Sequence, residues 1–289
     1  MFAVLAAARF AHFAAITLLF GLAAFPFYAW RKDEEAPRFD RWLKWLAVLA
    51  LVTGWLELLA MSANMGGSLG SAFDPQVFLA VVSDTVYGRV WLGRLFLAIL
   101  LLALRVKKRP ARDPVLLATS GLLLASVALT GHSAMPGGVP GMIHRGADAL
   151  HLLAAGWWIG GLMALALTAQ ALGDKAAVVL DRFSGVGYGA VAAIVATGLF
   201  KSAILIATVS ASVSSAYGWT LLVKLGLFAG MGVLALSNHL WIAPPLARGG
   251  DQRLWLGRLR VQVSLELALG IGVLAVVGAL GAMQPPVAS

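Results

Sequence analysis

The sequence predicts an all-α, polytopic membrane protein. Eight transmembrane helices form a single domain over 1–289, arranged as two parallel four-helix repeats at about 1–140 and 141–289. Three observations carry this expectation. Hydrophobic residues make up 60% of the chain and charged ones only 12%, against roughly 45–50% and 25% in soluble domains. Apolar runs long enough to span a bilayer recur along the whole chain. Lys and Arg also gather in alternate connections between those runs, as they do in polytopic proteins.

The first run, 2–29, has no basic region ahead of its apolar core, and Arg31 and Lys32 follow it. It therefore reads as a retained span rather than a signal peptide. The second, 42–64, follows Asp40-Arg41 and contains Thr53-Gly54 and Glu57. The third, 86–105, opens on Tyr87-Gly88 and carries Arg94, and the fourth, 114–131, closes on Leu129-Thr130-Gly131. The fifth, 144–170, holds His151 and the run Trp157-Trp158-Ile159-Gly160-Gly161, whose small residues permit close helix approach. The sixth, 183–209, follows Asp181-Arg182 and contains Thr197-Gly198 and Lys201. The seventh, 218–242, follows Tyr217, carries Lys224 and reaches Asn238-His239 ahead of Pro244-Pro245. The eighth, 257–282, carries Glu266.

The connections 65–83, 132–143 and 210–217 contain no Lys or Arg, whereas Arg31, Lys32, Arg38, Arg105, Lys108, Arg109, Arg182 and Arg253 lie in the others. The positive-inside rule then puts both termini and the 132–143 connection outside the cytoplasm. The net charge of +9 is topology signalling on this reading, and no nucleic-acid partner is expected. With no cysteine in the chain, thiolate sites, disulfides and Cys-linked haem are excluded, so a metal would need His, Met, carboxylate or backbone ligands. There is no nucleotide-binding glycine loop and no acyl-transfer or hydrolytic constellation, so the chain is expected not to be an enzyme.

Five matches in the same order suggest the duplication. His12 aligns with His151, Asp40-Arg41 with Asp181-Arg182, and Thr53-Gly54 with Thr197-Gly198, with Glu57 facing Lys201. Tyr87-Gly88 with Arg94 aligns with Tyr217-Gly218 with Lys224, and Leu129 to Met135 with Leu280 to Met283. Each half has an even number of spans, so the halves run in the same direction.

Three of the five histidines, His132, His144 and His151, fall within one short stretch at a membrane edge, with Met135 and Met142 beside them. Imidazole and thioether together suit a transition metal, above all copper. His144, Asp148 and His151 share one helix face. Asp148 is a ligand, a partner that fixes an imidazole's tautomer, or an ion-pair group for Arg145. The candidate metal ligands are therefore His12, His132, Met135, His144, Asp148 and His151, with His12 and His151 expected to meet at one ion between the repeats. Glu57 and Lys201 are expected to pair across that axis. His239 is either an exit-side ligand or structural.

The run His151-Leu-Leu-Ala-Ala-Gly-Trp-Trp-Ile-Gly-Gly161 resembles the signature of the copper-resistance protein D family. Arg9-Phe-Ala-His12-Phe, Tyr217-Gly218 to Lys224, Asn238 and Glu266 are similar to that family too. The resemblance implies a bacterial inner-membrane protein that handles copper on the periplasmic side and helps it cross into the cytoplasm. Copper and the lipid bilayer are the expected partners, with a periplasmic copper chaperone as a candidate donor. Two alternatives stay open: a haem b protein with bis-histidine ligation, and an assembly factor for a copper or respiratory enzyme.

Overall fold

The computed structural model describes residues 2–106, 108–130, 138–212 and 215–283, and the side-chain surroundings of all of these except 202–212. His132 and Met135 therefore lie outside the described residues. The described chain is all-helical: α1 Phe2–Ala29, α2 Asp40–Met65, α3 Pro75–Asp84, α4 Val86–Leu104, α5 Pro114–Ala125, α6 Gly138–Thr168, α7 Ala176–Ser212, α8 Ala216–Ser237, α9 Ala243–Ala247 and α10 Gln252–Ala282.

Seven of the described helical stretches are long and apolar enough to cross a membrane, with α8, the π turn Asn238–Ile242 and α9 forming one of them. The fourth expected span is shorter. It has twelve residues of α5 and then a four-residue 3-10 turn, Ser126–Leu129. That length covers about 26 Å at 1.5 and 2.0 Å per residue, just under the hydrocarbon thickness of about 30 Å. The tightened turn frees the Ser126 carbonyl, which accepts from Arg94 Nη2 at 3.0 Å. A further helix, α3, lies in the 65–83 connection, where Asp74 caps its start and Pro75 takes the first helical position.

Helix α1 is the central element and packs against α2, α5, α6, α7 and α10. It runs parallel to α6, and the two backbones meet where neither has a side chain. A Cβ added to Gly21 would stand 2.3 Å from Gly160 Cα, and one added to Gly160 would stand 2.3 Å from Gly21 Cα. Phe20 and Trp157 close the seam edge-to-face at 5.8 Å.

The arginine-rich connections converge at one end of the bundle. Arg112 Nε donates to Pro26 O at 2.9 Å, Arg182 Nη1 to Ala29 O at 3.0 Å and to Glu34 Oε2 at 2.8 Å, and Arg109 to Asp113. The bonds to Pro26 O and Ala29 O satisfy carbonyls at the end of α1 that have no partner within their own helix.

Candidate metal centre

His12 lies nine residues before Gly21, and at about 100° per residue that separation turns it to the opposite face of α1 from α6. There its Nδ1 meets Thr53 Oγ1 of α2 at 3.2 Å. The Thr53 hydroxyl donates to Leu49 O at 2.6 Å, so it accepts from the ring and Nδ1 carries the proton. Nε2 is then a free lone pair, and it is buried without a partner. The ring is 2% exposed and borders a small cavity with Gly54, Trp55, Trp91 and Arg94. Trp91 Nε1 donates to Gly54 O at 2.9 Å and packs edge-on to Trp55 at 4.7 Å, fastening α4 to α2 over the imidazole.

His151 repeats this local chemistry in the other half. It too lies nine residues before the glycine of the seam, Gly160, and faces away from α1. Its Nδ1 is 2.8 Å from Thr197 Oγ1 of α7, and that hydroxyl donates to Ala193 O at 2.6 Å. Nε2 is again the unprotonated nitrogen, but here the ring is only half-buried. Leu199 and Leu221 occupy the positions that align with Trp55 and Trp91. Gly198, aligned with Gly54, has nothing within 4 Å of an added Cβ, whereas Gly54 would touch the His12 ring at 3.3 Å.

The likeness extends to the ion pairs, with their signs exchanged. Arg9, one turn before His12, pairs at 3.6 Å with Glu57, one turn after Thr53. Asp148, one turn before His151, pairs with Lys201, one turn after Thr197. Each half adds a cation from its third aligned helix. Arg94 of α4 bonds Ser126, and Lys224 of α8 lies near His151 and Asp148. The helix starts match as well, since Thr85 caps α4 through Gly88 N at 2.9 Å and Ser215 caps α8 through Gly218 N at 3.0 Å.

This geometry corrects the pairings expected of these groups. His12 and His151 face outward from the α1–α6 seam into separate helix groups, so they do not meet at one ion. For the same reason they do not face one cavity as bis-histidine haem ligands. Glu57 and Lys201 do not pair with each other, because each is taken by a partner inside its own half. Asp148 likewise pairs with Lys201 rather than Arg145.

His144 is partly exposed and rests its ring against Phe200 of α7 at 5.5 Å. It stands seven residues, roughly 10 Å, from His151, too far for one ion but on the same stripe. Met142 is exposed at the helix start. His239 is exposed beside Tyr188 near the arginine-rich end. Among the described residues, no three His, Cys, Asp or Glu side chains form a ready-made metal cluster. Thr53 and Thr197, which bond the histidines, and Trp91, which borders the same cavity as His12, are neighbours that sequence reasoning did not assign. The two threonines were visible as an aligned pair, but nothing in the spacing pointed them at the histidines.

Comparison with known proteins yields two family matches. Residues 1–142 match the copper resistance protein D-like N-terminal domain and residues 177–280 match copper resistance protein D. The chain is 30% identical to the inner membrane protein YebZ of Escherichia coli K12, over 96% of this chain and 97% of that one. It is 30% identical to copper resistance protein D of Pseudomonas syringae pv. tomato over 96% of each chain. A third relative, the copper transport protein CutJ of Bacillus subtilis 168, is 30% identical over 97% of this chain and 53% of its own length. No solved structure matches.

Proposed function

The chain belongs to the copper-resistance protein D family, and from that premise we propose that it carries copper from the periplasm toward the cytoplasm along α6. It is a multi-pass inner-membrane protein with the arginine-rich end in the cytoplasm and both termini in the periplasm. The observation that supports this reading most is the imidazole setting at His151. A threonine whose own proton is committed to a backbone carbonyl fixes the ring with Nδ1–H, leaving Nε2 as a ligand lone pair. Metal-binding histidines are commonly oriented by a hydrogen bond of this kind.

Copper is captured at the periplasmic mouth by His132, Met135 and His144 and handed to His151, with Asp148 supplying a negative charge against Lys201 and Lys224. His12 is the matching nitrogen of the other half, a second ligand held behind Trp91 and slower to exchange. A periplasmic copper chaperone is the natural donor. The two halves are repeats, and the matched histidine–threonine bonds, helix caps and sign-exchanged ion pairs support that reading.

Metal analysis and an absorption spectrum of the detergent-purified protein test the proposal. The expected result is bound copper without a Soret band, and loss of copper accumulation in cells when His151 is replaced by Ala. A Soret band would overturn it in favour of haem. Neither copper nor haem would favour an assembly factor.

A further inference from the structure

Trp158 stands seven residues beyond His151, as His151 stands seven beyond His144, so all three lie on one stripe of α6 about 10 Å apart. Trp158 Nε1 donates to Glu266 Oε1 at 2.9 Å, and Asn238 Nδ2 donates to Glu266 Oε2 at 3.3 Å. Glu266 is 1% exposed and Asn238 6%. They border a cavity among α6, α7, α8 and α10 that Ser184 and Tyr188 also line.

The groups facing this carboxyl are neutral. From α6 comes the Trp158 indole, and from α7 the Tyr188 phenol. Asn238 comes from the π turn, and the following residue, His239, lies exposed across Tyr188. On α10 itself, Gln262 gives its amide to Leu234 O at 3.1 Å. Of the ionisable groups of α1, Arg9 packs against α10 at Gly281, fifteen residues along the helix from Glu266, and pairs with Glu57, while His12 bonds Thr53. A carboxylate held in a low-dielectric interior by two neutral donors is costly, whereas the neutral acid is not.

Asn238 can serve either state. Its Nδ2 donates to the carboxylate, while its Oδ1 is buried with no partner. Turning the amide over would break no bond at Oδ1 and would present that oxygen to a Glu266 O–H.

We propose that Glu266 is a proton-exchange site. When a metal cation passes the cytoplasmic part of the stripe, the carboxyl O–H releases its proton to water in the cavity, and the resulting carboxylate compensates the metal charge. When the metal leaves, a proton returns from water and the Asn238 amide turns to accept the new O–H. The coupling to metal rests on the copper reading above, and the proton site does not.

Infrared difference spectroscopy on the full-length protein in nanodiscs separates the two. Without copper at neutral pH, a protonated-carboxyl band should be present. It should shift in D2O, disappear in Glu266→Gln and move in frequency in Asn238→Leu, which keeps the acid but removes its amide. Adding Cu(I) should abolish the band and release about one proton per protein, a release absent in Glu266→Gln. No such band in the copper-free protein, or a band unchanged when copper is bound, overturns the proposal. A band in a protein that binds no copper sinks the copper reading and the coupling together, and leaves the proton site standing.

Discussion

At the scale of single residues, the decisive contacts are those between histidine Nδ1 and threonine hydroxyl. Each threonine sits on a neighbouring helix, so it sets the direction of the ring and also which nitrogen is free. Replacing Thr197 with Val keeps the volume and removes the acceptor. Copper affinity should fall about 10–100-fold, the usual cost of losing such an outer partner, measured by competition against a Cu(I) chelator. Thr197→Ser should restore most of it, and an unchanged affinity in Thr197→Val would show that the hydroxyl does not orient the ligand. The histidines were legible in the sequence as a group. Their orientation was not, because it depends on the helix phase relative to the Gly21–Gly160 seam, which only the packing defines.

At the scale of elements, the seam and the ion pairs make separate demands. Gly160→Leu places atoms where Gly21 Cα lies, and α1 and α6 must move apart. The expected cost is about 1–3 kcal/mol or more, as for other overpacked interiors. Gly232→Ala on α8, with nothing within 4 Å, should be neutral or stabilising by up to about 1 kcal/mol. Thermal unfolding in detergent checks both, and equal effects would deny the seam its special role.

The reversed ion pairs predict a rescue. Asp148→Arg alone gathers three cations around His151 and should lower both melting temperature and copper occupancy. Asp148→Arg with Lys201→Glu recreates the Arg9–Glu57 arrangement and should recover the melting temperature. A double variant no more stable than the single one would mean the pair does not act as a unit. This relation escaped sequence reading because an arginine aligned with an aspartate does not score as a match. Helix α3 escaped it for a different reason: at ten residues it falls below the length of the apolar runs that marked the spans.

At the scale of the whole molecule, the arginine-rich connections form a network that closes one end of the bundle. Glu34, bonded by Arg182 and by the Arg31 backbone N–H, is pushed from 4.5 down to about 2. At Asp113, burial acts upward, but Arg109 and the backbone N–H groups of Leu116 and Val115 outweigh it and hold the carboxyl below its usual value. Both carboxyls therefore bind protons more readily unfolded than folded. The stabilisation from Glu34 is complete above about pH 4.5 and is lost as pH falls toward about 2, and that from Asp113 is lost in the same direction. Melting temperature should decline across that window, and the decline should be shallower in Glu34→Gln. An identical acid profile in that variant would remove Glu34 from the network.

The helical class and seven of the expected spans could be read from apolar length. The fourth could not be sized that way, because its last turn tightens to meet Arg94, a contact with no local signature.

On the function proposed above, His12 and His151 hold copper separately, each in its own half. Copper per protein in wild type, His12→Ala and His151→Ala tests it most directly. His12→Ala should keep the ion at His151, His151→Ala should keep only the slowly exchanging one at His12, and the double variant should keep neither. Loss of all copper from either single variant would contradict it, since that is the behaviour of one ion shared between the two imidazoles.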